Sequence, residues 1–192
     1  MTTTRHDPND LLGQELCRFG QKLAEAEGIG EIECIANANS TRFQAYRRSG
    51  AEHPTIELGM KLFRDCGQTG LCTCGHTHRD DREGVAVTCN WPPGCDCVQF
   101  EPDGVPQGER LLRVGKALTA HEVGHLVQER DGRPTCGPAA ELDADLEAAR
   151  LYTPGEVIDA LCFTNFGAPP DGDPAYPTGP ERVHNIQNHF PG

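Results

Sequence analysis

The run His121-Glu122-Val123-Gly124-His125 constrains this chain more than any other feature of its sequence. Histidines four positions apart share a face only on an α-helix. Leu111, Leu112, Val114, Leu118, Val123 and Leu126 surround the run at helical spacing, which predicts a long buried helix from Glu109 to near Gly132. Both imidazoles can then point at one ion beside a core, and Glu122 can reach a water on that ion. Zinc suits such a place: it accepts neutral imidazole and carboxylate, and a catalytic site leaves one position for water. Bound water then has a pKa of about 7, so a neighbouring carboxylate can take its proton near neutral pH.

A third protein ligand is needed. Glu141-Leu-Asp-Ala-Asp145 follows on a second helix, predicted from Pro138 to about Tyr152. Glu141 and Asp145 share a face, so Glu141 can complete a two-histidine, one-glutamate site while Asp145 holds one imidazole by its other nitrogen. Alone, this stretch reads as an acidic solvated face, since Asp143 and Glu147 are acidic too. Beside His121 and His125 the ligand reading wins.

The rest of the chain predicts an α+β fold. Pro8 suits the first turn of a helix capped by Asp7 and leaving at Gly28, with Leu12, Leu16, Phe19, Leu23 and Ala26 as its core stripe. Glu31 to Ala36 reads as a strand, and the alternation Ile56, Leu58, Met60, Leu62 as a second, half-buried one. Thr153-Pro-Gly-Glu156 and Thr178-Gly-Pro-Glu181 are capping boxes that open two further helices. Residues 167–177 read as loop. The strands fall in the N-terminal half and the helices mainly in the C-terminal half, and residues 1–192 form one domain.

Residues 64–107 read as an insertion within it. Five cysteines (Cys72, Cys74, Cys89, Cys95 and Cys97) crowd this stretch, with His76 and His78 between them. These groups oversupply the four positions of a structural zinc. Disulfides and free thiols are the alternatives, and the C-x-C spacing does not say which groups bind. Cys17, Cys34, Cys136 and Cys162 stand apart and read mostly as small buried residues. With no visible export signal, the expected compartment is the cytoplasm, where a cysteine cluster is more often a metal site than a disulfide framework. The formal net charge is −12, which argues against binding nucleic acid or an anionic membrane. No apolar run approaches the length of a membrane span.

The segments AHEVGHLVQ and ELDAD resemble gluzincins, the zinc metallopeptidases in which HExxH is followed by an ExxAD-type helix. They are similar to the neutral zinc metallopeptidases with AHExGHHVQ and ELQAD segments. ELDADLEAARLYTP resembles the ImmA/IrrE metallopeptidases, and YPTGPERVHNI the HPxxxxR segment of HtpX-like peptidases, with Tyr176 where that pattern has His. The likeness covers Leu118 to Tyr152 well and Tyr176 to Ile186 weakly. It implies a zincin-like fold, hydrolysis of a protein or peptide substrate, a catalytic zinc on His121, His125 and Glu141, Glu122 as general base, and Asp145 behind a ligand. Tyr152, Tyr176, Arg182 and His184 are candidates, by chemistry only, for the oxyanion donor or for substrate contact. By the same analogy the strand from Ile56 to Leu62 is expected to pair with an extended substrate. A second reading keeps the metal and drops turnover: an inert, zinc-stabilised binding module that recognises protein through the cysteine-rich insertion. An inert site has no need of Glu122.

Overall fold

A helix, a small sheet and a run of further helices follow one another along the chain. The computed structural model describes residues 8–66, 107–164 and 177–191. The fold is α+β: α1 (Pro8–Ala26), β1 (Glu33–Asn37), β2 (Gln44–Tyr46), β3 (Thr55–Gly59), α2 (Met60–Cys66), α3 (Gln107–Arg130), α4 (Pro138–Leu151), α5 (Pro154–Thr164) and α6 (Gly179–His189). The insertion cysteines Cys72, Cys74, Cys89, Cys95 and Cys97 lie outside the described residues, as do Tyr176 and most of the expected loop. No described helix is long and apolar enough to cross a membrane.

The sheet order is β1-β3-β2, with β1 parallel and β2 antiparallel to β3. This changes the expectation for the Ile56 strand in three ways. It stops at Gly59, and Met60 and Leu62 belong to α2. There Met60 and Phe63, three apart, both face the core. The strand is not half-buried, because Thr55, Ile56, Leu58 and Gly59 are all buried. Nor can it take a substrate strand, because β1 and β2 occupy both of its edges. Glu57, the remaining residue, accepts hydrogen bonds from Asn37 at 2.7 Å and Gln44 at 2.9 Å and so ties the sheet together across both neighbours.

α1 lies against α3 and β1. Its most deeply buried positions are Gly13, Leu16, Gly20 and Ala24, flanked by the half-buried Leu12, Phe19 and Leu23, while Ala26 is exposed. The stripe is therefore shifted toward small residues, which bring the helix close to its neighbours. Cys17 and Cys34, expected as separate core residues, form a disulfide between α1 and β1. Such bonds persist in oxidising surroundings and are rare in reducing ones. Cys136 is exposed and Cys162 buried.

The helical half follows its sequence signals closely. α3 ends on Gly132 at φ +68°, with Gly132 N–H donating to the Glu129 carbonyl and Arg133 N–H to the Gln128 carbonyl. This is the left-handed glycine turn that closes many helices. Pro138 opens α4. Thr153 Oγ1 accepts the Glu156 N–H at 3.2 Å, and the Thr178–Glu181 capping box is complete. α4 presents Ala140, Ala144 and Ala148 as a buried stripe toward the helices around it.

Candidate metal centre

The distance between α3 and α4 decides whether a site can form. A Cβ on Gly124 would lie 2.9 Å from the Ala144 carbonyl and 3.1 Å from Glu147 Cβ. Glycine in the middle of the HEVGH run thus lets the two helices approach closely. That approach carries Glu141, on the first turn of α4, to the histidines.

His121, His125 and Glu141 form a group that could hold a metal ion, with their ligand atoms all within 4.8 Å of one another. His121 Nε2 is 3.2 Å from Glu141 Oε2, and His125 Nε2 is 3.6 Å from Glu141 Oε1. The two rings meet edge to face, 4.8 Å between centroids. Each imidazole turns its other nitrogen to a partner. His121 Nδ1 is 2.9 Å from Asp145 Oδ1, and His125 Nδ1 is 2.9 Å from Gln128 Oε1.

Burial opposes a charge on His121, but hydrogen bonds to Asp145 and Glu141 outweigh it and raise its pKa to about 9 in the absence of metal. Burial lowers that of His125, and the charge of His121 lowers it further. Burial also pushes Glu122 up to about 7, against the pull of His121 and with the support of the Glu141 charge. The Ala45 N–H of β2 donates to this carboxyl and pulls the other way. Burial opposes the charge on Asp145 as well, yet Arg182 and His121 together hold its carboxyl below the ordinary range.

The weaker candidates resolve differently. Arg182 is fully buried, and its Nε and Nη2 donate to both oxygens of Asp145 at 2.6 Å. It braces the carboxylate behind His121 and is not placed as an oxyanion donor. Tyr152 packs edge to face on Phe19, 5.4 Å between centroids, and its hydroxyl interacts with Glu156. It belongs to the packing of α1. His184 is exposed on α6. Gln128 is the residue that sequence reasoning missed: fully buried, three positions after His125, a spacing that by itself places both side chains on one helix face.

Comparison of the chain with protein-family models, curated proteins and solved structures returns no match. What the chain does must therefore be argued from the site.

Proposed function

We propose that the chain is a zinc-dependent endopeptidase of the gluzincin type, built on a zincin-like fold. The observation that carries this reading is Glu122. It is a buried carboxyl with its pKa raised to about 7, next in sequence to one ligand-type histidine and under the charge of Glu141. A purely structural metal site gains nothing from it.

The donor set fits zinc. Bonds of about 2.0–2.2 Å in a tetrahedron put ligand atoms roughly 3.3–3.6 Å apart. One Glu141 oxygen lies 3.2 Å from His121 Nε2 and the other 3.6 Å from His125 Nε2, close to that spacing, and the ligand atoms of all three residues lie within 4.8 Å of one another. When bound, zinc would supply Lewis-acid polarisation of a carbonyl and an acidified water. The remaining work falls to the chain. Glu122, buried next to His121, would accept the proton of the attacking water and return it to the leaving amine. Asp145 and Gln128 hold the Nδ1 sides of the two imidazoles and so would leave both Nε2 atoms for the ion. Because β3 is central, the strand suited to guide an extended peptide is β2, whose Ala45 already touches Glu122.

Two measurements on one pair of proteins test the reading. Metal analysis of the wild type and of Glu122→Gln should give the same zinc content in both. Cleavage of an unstructured protein substrate should fall by about 10²-fold or more in the variant, the lower range of a general base. Equal cleavage by both would remove Glu122 from the mechanism. Zinc in both with cleavage in neither would favour the inert binding module.

A further inference from the structure

The carboxamide of Gln128 has only one workable orientation. Its Nε2 lies 2.7 Å from the Ala140 carbonyl oxygen and 3.2 Å from Asp143 Oδ2. Both neighbours only accept, so the NH₂ end must face them; a flipped amide would set oxygen against oxygen. Asp143 is itself fixed, since Arg133 Nη1 donates to the same Oδ2 at 2.6 Å. Arg133 is folded back to that position by the glycine turn at the end of α3, in which its own N–H bonds the Gln128 carbonyl at 2.8 Å. Gln128 is therefore pinned through backbone and side chain alike, and its Oε1 is left pointing at His125 Nδ1, 2.9 Å away.

An amide oxygen carries no proton, so the hydrogen in this contact belongs to the histidine. We infer that Gln128 is a positioning residue that locks His125 in the Nδ1–H tautomer and so turns the lone pair of Nε2 toward the metal position. The inference rests on reading His121, His125 and Glu141 as one metal site, and assigns the control of its second imidazole. An imidazole without such a partner exchanges its proton between two nitrogens, and only one arrangement here can bind. Asp145 performs the parallel task for His121 with a charge; Gln128 does so with a neutral group held by Ala140, Asp143 and Arg133.

The test separates the inference from the metal reading. Long-range ¹⁵N–¹H spectra of the chelator-treated full chain, at about pH 8 where an ordinary histidine is neutral, should show His125 as the Nδ1–H tautomer. A His125→Asn variant assigns the signal. The Nε2–H tautomer in the wild type would overturn the inference whether or not zinc binds. Gln128→Met keeps the volume and removes both hydrogen-bonding ends. Competition with a chromophoric chelator should show its zinc affinity reduced by roughly 10–100-fold, with both His125 tautomers populated. Unchanged affinity and an unchanged tautomer in a folded variant would also overturn it. Should the variant fail to fold, the wild-type spectrum still decides. Failure of the wild type to bind zinc would strike the metal reading alone, because the tautomer is read without metal.

Discussion

The two sides of α3 are held together by different physics. Toward α1 and the sheet, the interior is apolar (Leu16, Ile32, Ile56, Leu58, Phe63 and Val114), and the Cys17–Cys34 bond ties helix to strand. Toward α4, α5 and α6, His121, Gln128, Glu141, Asp145 and Arg182 share the interior with alanines, valines and leucines, and Glu122 sits at the border, its carboxyl turned to Ala45 of β2. Buried apolar groups stabilise with little regard to partner geometry, whereas buried polar groups cost free energy unless every one is satisfied. The sheet side can thus tolerate change that the helical side cannot. The difference is what a functional site on the second side would produce, since such sites depart from the packing rules the rest of a fold obeys.

The largest effect that would sharpen this contrast is expected from Arg182→Leu. It leaves Asp145 buried without its cation and should cost about 3–5 kcal/mol in urea unfolding. It should also reduce the rise in Tm expected when zinc is added to the wild type, since such a rise follows metal affinity. An unchanged zinc response would detach Asp145 from the metal site. Next comes the double replacement Cys17→Ser with Cys34→Ser. Closing a loop of 17 residues is worth about 3 kcal/mol in the chain-entropy account. The expected result is a lower Tm with the zinc-induced increment intact; loss of that increment would show the two sides to be coupled through α3. The smallest is Gly124→Ala, about 1–3 kcal/mol from overpacking against the Ala144 carbonyl. Calorimetric titration should show weaker zinc binding, because α4 must retreat and take Glu141 with it. If zinc binds as in the wild type, the close approach is packing alone.

Much of the helical side was legible because its signals are local. The period of Leu111 to Leu126, Gly132 after the last turn of α3, Pro138 and the two threonine caps each act within a few residues. His121, His125 and Glu141 were legible for the same reason, since spacing on a helix is spacing in sequence. The sheet side was less so. Alternation from Ile56 to Leu62 does not reveal that the chain turns helical at Met60, a turn that coincides with Gly59 packing on the Thr41–Arg42 backbone. The short strand β2 has no pattern of its own. The Cys17–Cys34 pair and the Arg182–Asp145 clamp join residues remote in sequence, and neither leaves a periodic trace. The sequence offers Arg182 only as a candidate by chemistry, and its hold on Asp145 is not visible there, because a free guanidinium and a buried brace look alike in a sequence.

The two helices that carry His121, His125 and Glu141 are also successive in the chain, joined by a short turn. Contacts of low sequence separation are reached early in folding, because little loop entropy opposes them. The three ligand-type side chains, and Gln128 and Asp145 behind them, can therefore meet once this hairpin forms. Arg182, β2 and α1 arrive from farther away. An ion available at that moment would find its site half-assembled and could act as a nucleus around which the distant parts condense, making the metal a participant in the order of folding as well as in its outcome.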